Sequence, residues 1–146
     1  MITVIRGEPR HAAEMHTIES ESFAAAWSAL SIEYELREKH AICFAAIDEN
    51  EKIHGHAYMR HIVNEGHINN IAVRGESRRR GIASMLVEAL IAAALAREMI
   101  GLTLEVRESN IAARSLYEKH GFTSEGIRKN YYSHPTEDGI IMWRFL

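Results

Sequence analysis

With one cysteine, Cys43, the chain of 146 residues has no internal disulfide. The apolar run around it, Ala41-Ile42-Cys43-Phe44-Ala45-Ala46-Ile47, reads as a buried strand rather than the setting of a nucleophile. There are two prolines and no Gly/Ser-rich tract, repeat or low-complexity segment, so nothing marks a domain boundary and residues 1–146 read as a single domain. No apolar run approaches the roughly 18 residues of a membrane helix. The opening Met1-Ile2-Thr3-Val4-Ile5-Arg6 lacks the basic-then-apolar layout of a signal peptide, so a cytoplasmic protein without membrane contact is expected. Neither sign of charge dominates: 17 Lys and Arg stand against 20 Asp and Glu, for a net charge of -3. A chain built to coat nucleic acid is therefore not expected. The Walker loop and the Gly-x-Gly-x-x-Gly fingerprint are both absent, and the nine histidines show no zinc spacing, so no metal is expected.

What is present is a mixture of helical and strand periodicities. Thr3 to Arg6 reads as a short strand, and Pro9 opens a helix carrying Ala12, Met15, Ile18 and Glu19 to about Phe23. A second helix is predicted over Ser28 to Lys39, with Leu30, Tyr34 and Leu36 near one face. Three antiparallel strands follow between Ala41 and Val73, with turns at Asp48-Glu49-Asn50-Glu51 and Asn64-Glu65-Gly66. A long helix from about Arg80 to Met99 then presents Ile82, Met85, Leu86, Ala89, Leu90 and Ala93 as its apolar stripe. Leu102 to Val106 reads as a strand parallel to the preceding one, because a helix crosses between them. Ser109 or Asn110 caps another helix to about His120, Gly121 ends it, and strands near Phe122 to Arg128 and Ile140 to Phe145 complete the chain.

The segment Arg78-Arg79-Arg80-Gly81-Ile82-Ala83-Ser84 lies between a strand and that long helix. A helix start offers backbone N–H groups without intrahelical partners and a partial positive charge, which together suit a pyrophosphate. Gly81 and Ala83 keep bulk away from such a ligand, and the arginines can add charged hydrogen bonds. Three arginines alone would read as a solvated face or a nucleic-acid contact; the small residues at the helix start favour a phosphate cradle.

Arg78-x-x-Gly81-x-Ala83 resembles the acetyl-CoA signature of the GNAT acetyltransferase superfamily. The resemblance extends to Asn70-Ile71-Ala72-Val73 before it and to the run from Leu104 through Asn110 and Tyr117 to Phe122 after it. Arg128-Lys129-Asn130-Tyr131-Tyr132 and Glu137 to Met142 resemble the RimI/Ard branch, whose members acetylate protein N-termini. The match runs from about Ile18 to Met142. It implies an α/β (α+β) GNAT fold: a mixed, mostly antiparallel sheet of about six to seven strands with splayed central strands, flanked by about four helices. It further implies acetyl-CoA as co-substrate, paired with backbone at Ile71, Ala72 and Val73. Residues Arg78, Arg79, Arg80, Gly81, Ile82, Ala83 and Ser84 would hold the pyrophosphate, and Asn110 and Tyr117 would face the pantetheine arm.

Acetyl transfer needs a neutral amine and a stabilised leaving thiolate. Strand alternation sets Glu105 on the face opposite Leu104, and the resemblance makes Glu105 the general base. Tyr117 lies seven residues after Asn110, about two helical turns, so both can point to one side; by resemblance Tyr117 donates a proton to the departing sulfur. Without the resemblance, Glu105 reads as an exposed strand glutamate and Tyr117 as a half-buried residue packing on Phe122. Ser22-Phe23-Ala24-Ala25-Ala26-Trp27-Ser28 matches the loop that lines the peptide groove, with Trp27 as its anchor, and three alanines stand where relatives often carry proline before the tryptophan. Tyr131 and Tyr132 match the paired tyrosines of the facing hairpin. All three aromatics are equally compatible with packing, and His67 is a candidate proton relay. The expected acceptor is a protein N-terminus, with a ribosomal protein or nascent chain as the substrate and a monomer or weak homodimer as the enzyme. The competing readings are a GNAT enzyme acting on lysine side chains or a small amine, and an RNA- or ribosome-binding module using the arginines.

Overall fold

The computed structural model describes residues 1–23 and 25–146; Ala24, in the loop before Trp27, lies outside the described residues. Strand β1 (Thr3–Arg6) leads through a 3-10 turn at Pro9–His11 into helices α1 (Ala12–Ser22) and α2 (Ala29–Arg37). Strands β2 (Ala41–Ile47), β3 (Ile53–Ile62) and β4 (Glu65–Val73) then run antiparallel. A second 3-10 turn, Gly75–Ser77, precedes α3 (Ile82–Ala96), which crosses to β5 (Gly101–Arg107), parallel to β4. Helix α4 (Ile111–Lys119) and the hairpin β6 (Thr123–Tyr132) and β7 (Glu137–Phe145) complete one seven-stranded sheet in the order β1-β2-β3-β4-β5-β7-β6. This is the mixed, mostly antiparallel sheet expected from the sequence.

Strand β3 explains how the layers close. Residues Ile53 to Met59 are all buried, because α1 and α2 cover one face of the sheet and α3 the other. Leu86, Leu90, Leu102, Leu104, Tyr117 and Phe122 share the α3 side with α4, while Met15, Ile18, Ile32 and Tyr58 fill the α1 side. Two details of the helix periodicity differ from the sequence reading. In α3 the fully buried positions are Ile82, Leu86, Val87, Leu90, Ile91 and Ala94, with Met85, Ala89 and Ala93 only half-buried. Sheet and α4 together cover a broader arc of this helix than one stripe. In α2, Leu30 and Tyr34 are 77% and 68% exposed. The buried face instead carries Ile32 and Glu35, and Glu35 receives both ends of the Arg60 guanidinium at 2.7 and 2.9 Å. A buried glutamate disguises the period, since apolar pattern alone assigns it to solvent.

Two irregularities at the centre of the sheet shape the molecule. Strands β4 and β5 pair only through Glu65↔Gly101, Gly66↔Leu102 and His67↔Thr103, and beyond that they part. Gly66 permits the closed end: a Cβ there would sit 2.7 Å from the sulfur of Met59 and 3.0 Å from Leu102. The other irregularity is a bulge. Tyr58 faces Asn70 and Met59 faces Ile68, which leaves Asn69 as the extra residue of β4. The insertion reverses the strand's alternation, so Ile71 and Val73 pack on the α3 side with Ile68 while Ala72 packs on the α1 side.

Candidate active site

The fork between β4 and β5 opens toward the C-terminal ends of both strands. From Ile68 to Val73, β4 has no hydrogen-bonded strand on the β5 side among the described residues, so an edge of backbone donors and acceptors lies in the middle of the sheet. Ile71, Ala72 and Val73 stand on this edge. Just past it, the 3-10 turn leads to Arg79 and Gly81, both left-handed at φ of 64° and 76° with Arg80 between them. Alternating handedness of this kind makes anion-binding concavities. Among the described residues, the backbone N–H groups of Arg79, Arg80, Gly81, Ile82, Ala83 and Ser84 donate to no protein acceptor; the first helical bond runs from Met85 N–H to the Gly81 carbonyl. These groups head a helix of 15 residues, whose dipole adds to their field. Arg79 and Arg80 are exposed beside them. Arg78 is turned away and donates to the Val73 carbonyl at 3.4 Å and the Ser22 hydroxyl at 3.3 Å. The Ser84 hydroxyl lies 3.1 Å from His120 Nε2, which ties α3 to the end of α4.

On the other arm of the fork, Leu102, Leu104 and Val106 enter the core, and Glu105 points to the opposite face, as alternation predicts. Glu105 Oε1 accepts from Arg128 Nε at 3.2 Å, while Oε2 has no partner among the described residues. Arg128 also lies over the Tyr131 ring at 5.8 Å. Tyr131 and Tyr132 meet edge to face at 5.0 Å, and Arg107 stacks on Tyr132 at 4.6 Å. Arg107 also donates to the carbonyls of Ser133 and Pro135 and to Glu137, so one guanidinium supports the hairpin turn. Burial first, then the nearby charges of Tyr131 and Glu105, push the Tyr132 phenol up to about 12. Tyr117 is buried against Phe122, with ring centroids 5.6 Å apart, and burial raises its phenol well above the ordinary tyrosine value. The Tyr132 phenol adds to that rise. Asn110 caps α4 through its side-chain oxygen, 3.1 Å from Ala113 N–H, and its amide NH₂ keeps both donors uncommitted among the described residues.

Trp27 stacks on the buried Tyr58 at 5.3 Å and 13°, so it is a packing residue whatever else it does. Its backbone is held at both ends: the N–H donates to Glu19 Oε2 at 3.3 Å, and the carbonyl lies 2.8 Å from His16 Nδ1. Glu19 and His56, both fully buried, pair at 3.2 Å, with Asn70 of β4 donating to the same carboxylate oxygen at 3.4 Å. Burial is the largest single influence on Glu19 and opposes its ionisation, but the His56 hydrogen bond, the Tyr58 hydroxyl, the His56 charge and the Trp27 N–H together outweigh it and hold the carboxyl below its ordinary value. His67 sits at the closed end of the fork, 3.0 Å from Glu65. The sequence reading had no roles for Arg107, Arg128 and Glu19. The first two are visible only once β5, β6 and β7 are in register, and Glu19 only once α1 lies on the sheet.

Residues 12–122 match the family model described as acetyltransferase (GNAT) family. A Bacillus subtilis protein, named as a candidate ribosomal protein bS18-alanine N-acetyltransferase, is 33% identical over 129 residues, covering 88% of this chain and 85% of its own length. The Haemophilus influenzae ribosomal protein bS18-alanine N-acetyltransferase is 33% identical over 135 residues, covering 90% of each chain. Among solved structures, the ribosomal-protein-S18-alanine N-acetyltransferase from Escherichia coli superposes with a TM-score of 0.91 at 33% identity, over 99% of this chain and 94% of that one.

Proposed function

The chain belongs to the acetyltransferase (GNAT) family, and from that membership we propose that it moves the acetyl group of acetyl-CoA onto the N-terminal α-amino group of a protein, with an N-terminal alanine of ribosomal protein S18 as the favoured acceptor. The observation that carries the reading is the fork: a β4 edge that is unpaired among the described residues and ends at six backbone N–H groups with no acceptor among them. An elongated ligand with amides along its arm and a pyrophosphate at one end is complementary to both parts. The hairpin tyrosines Tyr131 and Tyr132 beside Glu105 are the aromatic surface offered to a peptide acceptor. A ribosomal acceptor implies action in the cytoplasm.

Acetyl-CoA supplies the reactive thioester. The chain's own residues bind it, orient it and handle protons. Ile71, Ala72 and Val73 offer the strand edge, Arg79 to Ser84 the phosphate cradle, and the Asn110 amide a donor at the head of α4. Glu105 Oε2 is the oxygen free to take a proton from the incoming ammonium. An α-amino group has a pKa of about 7.7–8.0, against about 10.4 for lysine, so an N-terminal acceptor asks little of such a base. Tyr117 remains protonated at any working pH, because burial raises its phenol, and donates to the leaving sulfur.

A panel of peptides with free and blocked N-termini tests the acceptor class. Acetylation is expected on free N-termini beginning with alanine and not on their blocked counterparts. Incorporation that survives blocking and maps to lysine would overturn the reading. For Tyr117→Phe, kcat is expected to fall about tenfold with the KM for acetyl-CoA unchanged. A thiol with a pKa of roughly 8.5 leaves passably without a donor, so the loss should stay small. Equal rates for the two proteins in a stopped assay would remove Tyr117 from the proton path.

A further inference from the structure

On the far side of the phosphate segment from the cleft, three residues from three elements form a chain of hydrogen bonds. Asp48 Oδ2 lies 2.9 Å from His54 Nε2, and His54 Nδ1 lies 2.6 Å from the Ser77 hydroxyl. The other oxygen of Asp48 accepts the N–H groups of Asn50 and Lys52, and the His54 hydrogen bond first, then these backbone bonds, hold the carboxyl down at about 2, so as a carboxylate it accepts from Nε2–H. In the neutral imidazole Nδ1 then accepts from the Ser77 O–H. The order of residues is that of a hydrolase triad, but Ser77 is fully buried and its proton is committed to the histidine. No substrate carbonyl can reach it.

We infer that Asp48, His54 and Ser77 are positioning residues that hold the segment from Arg79 to Ser84 in its acetyl-CoA-binding shape. The inference rests on the acetyl-CoA reading proposed above. Ser77 alone is buried among residues 75 to 81; Gly75, Glu76, Arg78, Arg79, Arg80 and Gly81 are exposed. No apolar side chain anchors the turn, so its position depends on polar contacts: the buried Ser77 hydroxyl, the exposed bonds of the Gly75 N–H to Glu21 and of Arg78 to the Val73 carbonyl and the Ser22 hydroxyl, and the backbone bonds of Arg74 N–H to the His54 carbonyl at 2.7 Å and Ser77 N–H to the Arg74 carbonyl at 2.9 Å. Two residues beyond Ser77 the chain enters the left-handed conformation of Arg79, which it would not hold unaided. The cradle is thus set by a pin whose other end is the β2–β3 turn. Lys52 and Glu76 join the same two segments at 2.7 Å, but both are exposed and contribute little.

The test compares Ser77→Ala, His54→Ala and the double variant, read as KM for acetyl-CoA, KM for the acceptor peptide, kcat and melting temperature, with calorimetric binding of acetyl-CoA to the wild type as reference. Each single variant is expected to raise the acetyl-CoA KM about fivefold, the worth of one hydrogen bond, and to leave the peptide KM and kcat within twofold. The double variant should be no worse than the more affected single, since both break one path. Asp48→Asn, which keeps the shape of the turn, gives a smaller rise in the same constant and serves if His54→Ala does not fold. An acetyl-CoA KM that stays constant while the melting temperature falls would make the three residues merely structural and overturn the inference alone. A wild type that binds no acetyl-CoA would overturn the proposed function, and this inference with it.

Discussion

Glu105→Gln is expected to lower kcat about tenfold at pH 7 and by more in acid, because only about a tenth of an amine with a pKa of about 7.7–8.0 is already neutral at pH 7 and so needs no base. The substitution is conservative: a glutamine oxygen can still accept from Arg128 Nε, as Glu105 Oε1 does at 3.2 Å, so the β5–β6 contact survives. What is lost is the proton acceptor. Because the acceptor amine titrates at about 7.7–8.0, it arrives mostly as ammonium below that range and mostly as free amine above it. The deficit should therefore be greatest in acid and shrink as pH rises past 8. A pH–rate profile for both proteins checks this, and a deficit of constant size from pH 6 to 9 would assign Glu105 to orientation rather than proton transfer. Arg128→Ala gives a related reading. The pair is half-exposed, so little stability depends on it, and any change in rate would report on access to Glu105 Oε2.

Gly81→Asp should weaken acetyl-CoA binding about 100-fold while the fold is retained. Gly81 sits at φ 76°, which most side chains resist but aspartate and asparagine tolerate, and a Cβ there meets nothing within 4 Å. A carboxylate at a helix N-terminus also favours the helix. Its charge, however, lies among the N–H groups that would receive the pyrophosphate. At about 1.4 kcal/mol per tenfold, the expected loss is about 3 kcal/mol, within reach of two like charges near a protein surface. Gly81→Asn separates the two effects, with the same shape and no charge, and should cost less than fivefold. Equal binding by both variants, measured by calorimetry beside melting curves, would dissociate the segment from phosphate recognition.

Much of this geometry was legible in the sequence because it is local. Helix starts, a cap for α4 at Ser109 or Asn110 and the alternation that separates Glu105 from Leu104 all follow from neighbours a few residues apart; the structure chooses Asn110 as the cap, and adds a left-handed turn at Gly81 where the sequence showed only a small residue. What was not legible depends on register between distant strands or on the docking of α1 and α2. The ion pair of Arg128 with Glu105 needs β6, β7 and β5 aligned; the buried Glu35 and Glu19 need Arg60 and His56 brought from β3. Tyr34 and Leu30 looked like core because leucine and tyrosine usually are, yet α2 buries the face that carries a paired glutamate instead. Arg78 illustrates the same limit inside a motif, since adjacent arginines look alike in sequence but among the described residues Arg78 has side-chain partners where Arg79 and Arg80 have none.

The parting of β4 from β5 after three residue pairs divides the sheet into two wings, one carrying α1 to α3 and the other the β5, β6 and β7 strands. Each wing has its own ladder, and the shared stretch is too short to fix the angle between them by hydrogen bonding alone. On the proposed reading, the co-substrate lies along the exposed edge of β4 and supplies what a strand would have supplied there, as a removable structural member as much as a reactant. Affinity and folding would then draw on the same free energy, and a substitution far from the chemistry that loosens either wing is expected to register first as weaker co-substrate binding.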